Sequence, residues 1–335
     1  MFDTIMLFIF GLLLLIKGGD WFVDSATGIA HRFRVPEILI GATIVAIGTT
    51  LPEVMVSATS AATGHGEIAY GNAIGSIICN TALIAAITIA VRPPQVDRKT
   101  FTLPVIFFFV AAVIYMVVAY FFREFTRVAG IILLVVFVAY MAVTIVQSVR
   151  SSKNAPKPAE LSDLPAEEAE DEAQNGKFAL VKDIVMIVVG AAVIALGAKL
   201  LVDNGTKIAA WMGVPEAVIA LTFVALGTSL PELVTAITAL IKGHGSLSLG
   251  NVIGANLFNL VLVSGLSITI SPFAVPASKI VFGGLNASLL IDLPVMLFVM
   301  MFLTLPAIIR GKLSRWQGIT LLTIYVAFCA VQFVL

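Results

Sequence analysis

Polar residues interrupt this chain at wide, regular intervals. Between them, apolar stretches run over 3–28, 37–62, 68–90, 102–121, 127–149, 180–206, 216–241, 247–270, 291–309 and 315–334. A stretch of about 20 residues, wound as a helix, crosses a ~30 Å hydrocarbon core. The pattern therefore predicts an all-α membrane protein of ten transmembrane helices. Five precede and five follow one long polar interruption at 150–178, giving parts 1–149, 150–178 and 179–335. The first stretch continues through Lys17-Gly-Gly-Asp20 without a small-residue cleavage site, so it is expected to stay as the first span.

Composition removes the main alternative. Hydrophobic residues make up 59% of the chain and charged residues 12%, about half the charged fraction usual in soluble domains. Charge also orients the spans. With the first loop inside, that side carries Arg32, Arg34, Arg92, Arg98, Lys99, Arg150, Lys153, Lys157, Lys177, Lys182, Lys242, Arg310, Lys312 and Arg315. The other side carries Arg123, Arg127, Lys207 and Lys279. The positive-inside rule then places both termini outside and the interruption in the cytoplasm. In that interruption Pro, Ser, Ala and seven acidic residues displace strong core formers. It reads as a mobile, solvated tether, because its acidic run lacks the spaced loop of a calcium sensor.

The apolar pattern also repeats. GATIVAIGTTLPE at 41–53 returns as ALTFVALGTSLPE at 220–232, and a fixed offset of 179 matches about 26 of the 60 positions from Asp24 to Leu83. Polar and turn residues carry the match: Asp24 with Asp203, Val35-Pro36-Glu37 with Val214-Pro215-Glu216, Glu53 with Glu232, Gly64-His65-Gly66 with Gly243-His244-Gly245, Gly71-Asn72 with Gly250-Asn251, and Asn80 with Asn259. Equivalent helices are displaced by five spans, an odd number that reverses their direction, so the halves are expected to form an inverted-topology repeat.

Each copy holds one glutamate inside a span. A carboxylate near the bilayer centre costs between about 3 and 17 kcal/mol, so such residues are rare and usually functional. Pro52 and Pro231 stand beside them, lack an N–H, and clash with the carbonyls of Gly48 and Gly227, which predicts a helix break. Irregular backbone at membrane depth must be buried or line a wet cavity. Thr49, Thr50, Thr228 and Ser229 add hydroxyls. About 20 residues on, GNAIGSIICN and GNVIGANLFN place Gly71, Gly75, Gly250 and Gly254 at small-xxx-small spacing for close packing, and add amides at Asn80 and Asn259. These oxygens can make up the 6–8 hard ligands that calcium prefers. No imidazole or thiolate cluster is available for zinc, copper or nickel. Two carboxylates neutralise one divalent ion or two sodium ions, and competition for them is a basis for antiport.

Paired motifs of this kind resemble the cation/calcium exchanger superfamily, specifically its prokaryotic sodium/calcium exchanger branch. The resemblance runs from Gly18-Gly-Asp20-Trp21 through the third span and again through spans six to eight. It implies that spans two, three, seven and eight enclose the ions while long spans one and six slide across them. It implies as ligands Glu53, Glu232, the carbonyls of Ala46 and Ala225, Thr49, Thr50, Thr228, Ser229, Ser76 and Asn80, with Asn259 beside them. Asn259 stands where the pattern has an acidic residue, and Ala255 where it has a serine, which leaves coupling open between sodium, potassium and protons. The implied location is a prokaryotic inner membrane.

The expectation is thus a sodium/calcium antiporter working by alternating access, with calcium/proton exchange through the same glutamates as the alternative and a passive cation channel as a further rival. It is not an enzyme, uses no cofactor, binds calcium, sodium and lipid but no nucleic acid, and is expected to act as a monomer. Exporting calcium against a ~10⁴ ratio and ~100 mV needs roughly 10 kcal/mol, while sodium entering down a ~tenfold gradient supplies about 3.7 each. Electrogenic exchange near three sodium per calcium follows. Several residues read as structural: Cys79 and Cys329 as helix packing, His65 and His244 as interfacial turns, Lys17–Asp20 as a local ion pair, Asp24 and Asp203 as helix-end contacts, and Asp292 as the cap of the ninth span.

Overall fold

A computed structural model describes residues 2–154, 166–212, 227–277, 280–281 and 285–334. In hydrocarbon each backbone polar group must be satisfied within its own segment, and the chain answers with helices. They are α1 (Phe2–Phe33), α2 (Glu37–Ala62), α3 (Gly66–Val91), α4 (Arg98–Phe122), α5 (Arg127–Asn154), α6 (Ala166–Trp211), α7 (Leu230–Ile241), α8 (Gly245–Ile270), α9 (Ser288–Arg310) and α10 (Arg315–Val334). Among the described residues, eight helices are long and apolar enough to cross a membrane. α7 is a shorter apolar helix, because the expected seventh span before Gly227 lies outside the described residues.

Three differences from the sequence reading have physical causes. The interruption at 150–178 is helical at both ends, since α5 runs to Asn154 and α6 begins at Ala166. Ala and Glu are strong helix formers, so the acidic run extends α6. In the first copy, the helix continues through Pro52, and the irregularity lies upstream as a π-turn at Gly41–Val45. There the Ala42 carbonyl accepts a 2.9 Å hydrogen bond from Tyr140 of α5. In the second copy, Pro231 sits in the first turn of α7, where a missing N–H costs nothing.

Glycines set how the long outer helices meet. A Cβ on Gly11 would lie 3.0 Å from the carbonyl oxygen of Gly197, and one on Gly197 would lie 2.8 Å from that of Gly11. Gly18 and Gly190 face each other in the same way, at 3.1 Å in both directions. One index rises as the other falls, so α1 and α6 run antiparallel. Gly11 and Gly18 also map onto Gly190 and Gly197 at the offset of 179. Each glycine touches the copy of the other, which is what a two-fold axis produces.

The loops repeat this relation. Val96 N–H bonds Gly311 O at 2.9 Å, and Val275 N–H bonds Arg123 O at 3.0 Å. Gly311 and Arg123 both end a helix in the left-handed region, at φ 69° and 57°. Two short strands, β1 (Glu124–Phe125) and β2 (Phe273–Ala274), pair antiparallel, and a matching bridge joins Gln95 to Lys312. β3 (Ile280–Val281) and β4 (Leu285–Asn286) form one further small pair. Buried Phe125 packs at tilted angles against Tyr115, Phe273 and Tyr70 beside this strand pair.

Inside, α8 crosses α2 with no side chain between them at two points. A Cβ on Gly254 would stand 2.6 Å from Ala42 Cα, and one on Gly250 would strike the Ile38 carbonyl. The segment that repetition pairs with Gly71 and Gly75 lies outside the described residues. Asp20 pairs with Lys242 at 3.2 Å, across helices, rather than with Lys17. Asp24 joins the same lysine at 2.7 Å, and Asp203 pairs with Lys199. His244 bonds Glu37 at 2.9 Å, tying the loop before α8 to the start of α2. Asp292 accepts from Gln332 of α10 at 2.6 Å and makes no capping bond to the backbone of α9. Replacing Gly254 with alanine is expected to destabilise the protein by about 1–3 kcal/mol, because neither backbone can retreat, read as a lower Tm in detergent.

Candidate cation-binding site

The duplicated motifs converge at the centre of the bundle. Glu53 on α2 and Glu232 on α7 are both fully buried and lie within Coulombic reach of each other. Thr50 donates to Glu232 Oε1 at 3.4 Å. The hydroxyls of Ser229 and Thr228 lie beside Glu53, and those of Thr49 and Thr50 lie beside Glu232. Each carboxylate is thus flanked by hydroxyls from the other half. Ser229 and Ser76 meet at 3.4 Å, which brings α3 to the same cluster.

Asn80 and Asn259 each open a π-turn, Asn80–Ala85 in α3 and Asn259–Val263 in α8. The first packs on α7, the helix of Glu232, and the second packs on α2, the helix of Glu53. π-turns are rare and frequent at functional sites, because the widened turn re-aims a side chain. Ser264 donates at 3.0 Å to the Asn259 carbonyl, satisfying the backbone of that turn.

Buried polar groups normally have hydrogen-bond partners. Here both carboxylate oxygens of Glu53, Oε2 of Glu232, and the side-chain oxygen and nitrogen of Asn80 and Asn259 have none among the described residues. A shell of acceptor oxygens this deep fits a hard cation as transported substrate. No group of three or more His, Cys, Asp or Glu gathers among the described residues, so hydroxyl, amide and carbonyl oxygens must supply the rest of any shell.

Of the residues read from sequence, Thr49, Thr50, Glu53, Ser76, Thr228, Ser229 and Glu232 come together through these contacts. Ala46 is fully buried, and its carbonyl lies 3.4 Å from the Thr49 hydroxyl. Ala225 lies outside the described residues. Cys79 is buried in the hydrophobic core.

Asn72 and Asn251 escaped the predicted set. Thr228 donates to Asn72 Oδ1 at 3.2 Å, and Thr49 donates to Asn251 Oδ1 at 3.1 Å. Their recurrence at the offset of 179 was the available signal. Asn256, which bonds Thr81 at 2.7 Å and the sulfur of Met300 at 3.1 Å, had no such signal, because Ile77 stands at the matching position.

A helical membrane fold with two fully buried carboxylates among hard oxygen donors is that of an ion-transport protein. Family comparison gives the particular lineage. The model of the sodium/calcium exchanger protein family matches residues 4–146 and again 182–334, and the chain belongs to that family. Sodium/calcium exchanger MaX1 of Methanosarcina acetivorans is 31% identical, with 98% of each chain covered. Inner membrane protein YrbG of Escherichia coli is 32% identical over 79% of each chain. A structure of the sodium-calcium exchanger NCX_Mj soaked with sodium and strontium superposes with a TM-score of 0.78, at 30% identity over 98% of both chains.

Calcium is expected to raise the Tm of the purified protein by binding the folded state alone, a gain of about 2.7 kcal/mol at 100 times the Kd. Glu53→Gln or Glu232→Gln should abolish that increase, as measured by thermal denaturation with and without calcium.

Proposed function

We propose that this protein is a secondary active antiporter that exchanges sodium for calcium across a prokaryotic inner membrane by alternating access. The observation that carries the reading is the facing pair of fully buried glutamates, Glu53 and Glu232, with carboxylate oxygens unpartnered among the described residues. The exchanger relatives and the likeness to NCX_Mj support the identity of the two ions.

The proposed ligands are Glu53, Glu232, the carbonyls of Ala46 and Ala225, the hydroxyls of Thr49, Thr50, Ser76, Thr228 and Ser229, and the amide oxygens of Asn80 and Asn259. Calcium would be held with both carboxylates ionised. Sodium ions entering from the other side would take the same oxygens and release it. Neither ion set can share the carboxylates with the other, which couples the two fluxes.

The proposed architecture is ten spans in two inverted five-helix halves, with both termini outside and the linker at 150–178 cytoplasmic. It is supported by the reciprocal contacts of Gly11 with Gly197 and Gly18 with Gly190, and of Thr49 with Asn251 and Thr228 with Asn72. The loop pairings agree with the same sidedness. Residues 95 and 312 meet on the proposed inner face, and 124–125 meet 273–274 on the outer.

Exchange is proposed to be electrogenic, near three sodium per calcium. In proteoliposomes loaded with sodium, calcium uptake is expected to require the outward sodium gradient and to vanish in Glu53→Gln and Glu232→Gln. Net positive charge leaves as calcium enters, so an inside-positive potential should accelerate uptake. Uptake driven by a proton gradient without sodium would instead establish calcium/proton exchange, which the neutral Asn259 favours by leaving fewer charges for sodium to fill. Uptake indifferent to potential would refute the electrogenic stoichiometry.

A further inference from the structure

We infer that Asn251 and Asn72 are positioning residues that make the hydroxyls of Thr49 and Thr228 into cation acceptors by taking their protons. The inference rests on the cation site proposed above.

A threonine hydroxyl has one proton and two lone pairs, and it is a cation ligand only when the lone pairs face the ion. Thr49 lies beside the Glu232 carboxylate and has two further acceptors for its proton, the Ala46 carbonyl at 3.4 Å and Asn251 Oδ1 at 3.1 Å. When Asn251 takes it, the lone pairs of Thr49 and the carbonyl of Ala46 are both released for the ion. When the proton goes to Ala46, both ligands are compromised together. One amide oxygen, from the other half of the chain, therefore controls two of the proposed ligands.

The mirror contact fixes the sense of the bond. Asn72 Nδ2 donates to Ser57 Oγ at 2.8 Å and to the carbonyl of Glu53 at 3.3 Å. A carbonyl only accepts, so the nitrogen of Asn72 must face it, and the oxygen is left for Thr228 at 3.2 Å. The amide thus also ties the backbone of Glu53 to the opposite hydroxyl. Thr49 and Thr228, like Asn72 and Asn251, are related by the offset of 179, so the two bonds are copies of one arrangement.

The copies differ in one respect that makes a clean test. Ser57 corresponds to Ala236, and Asn251 Nδ2 has no partner among the described residues. The Asn251 side chain is buried and makes no hydrogen bond there except the one to Thr49. Removing its amide should change the hydroxyl and little else, whereas removing Asn72 also disturbs Ser57 and Glu53.

The test is a double-mutant cycle on calcium affinity, read by titration calorimetry of the full chain in detergent, with Tm recorded for each variant. Asn251→Ala is expected to weaken calcium binding about tenfold, the scale of one oriented hydrogen bond. Thr49→Val should weaken it at least as much, and the double variant should match Thr49→Val to within about twofold, because no proton remains to be placed. Effects that multiply, or an Asn251→Ala affinity within twofold of the unsubstituted protein, would overturn the inference while leaving the cation site intact. Failure of the unsubstituted protein to bind calcium would overturn both. The Thr228→Val and Asn72→Ala cycle is the second measurement should Asn251→Ala fold poorly, and independent effects there would likewise overturn the inference.

Discussion

Two carboxylates buried within Coulombic reach of each other are the constraint that this architecture answers. Taking one charge out of water costs several kcal/mol, and a like charge beside it adds to that cost. The surrounding groups reduce the penalty without cancelling it. Hydroxyls, amides and carbonyls offer polarity, but nothing among the described residues offers a fixed positive charge to the pair. The lysine of the bundle nearest in sequence, Lys242, is occupied at the helix end by Asp20 and Asp24. A pair left so polar and so uncompensated is expensive to bury on its own, the cost that the proposed cations would offset.

That requirement explains why the contacts cross between halves. A hydroxyl from one half beside the carboxylate of the other gives both glutamates the same kind of neighbour. The amides of Asn72 and Asn251 extend the same exchange outward by one layer. The backbone contact of Gly254 with Ala42 then fixes the distance at which α8 and α2 can hold these groups, since a side chain at either point would push them apart.

Much of this was legible in the sequence because evolution by duplication wrote it twice. The glutamates, the Thr/Ser hydroxyls and Asn80 could be named because polar residues at a fixed offset stand out against an apolar background, whereas Ser76, whose copy is Ala255, came from the family resemblance. The glutamates, these hydroxyls and Ser76 lie together in the structure. Features without a copy stayed hidden. Asn256 bonds Thr81 and Met300 in one half only, and Lys242 has Thr63 at its counterpart. The π-turns at Asn80 and Asn259 were also invisible, because a single widened turn leaves the apolar periodicity almost unchanged. Pro52 was misread as the point of a break. A proline marks where a hydrogen bond is lost, but neighbouring helices decide whether the helix yields there, and here the irregularity lies about two turns earlier.

The interleaving of the halves also bears on how such a molecule can exist as one chain. α1 packs along α6, α2 on α8, α5 on the last turns of α8, and α3 on α10, so the principal partners of each half lie in the other. Neither half has an interior of its own, and a five-helix fragment would expose to lipid the polar groups that its counterpart covers. Two half-length polypeptides would offer the same contacts if they met in this arrangement. What the covalent connection adds is proximity: joining two segments in one chain presents the second at an effective concentration that reaches the order of millimolar when the connection is short. Fusion therefore converts an encounter between two membrane proteins, dependent on their abundance, into a closure within one.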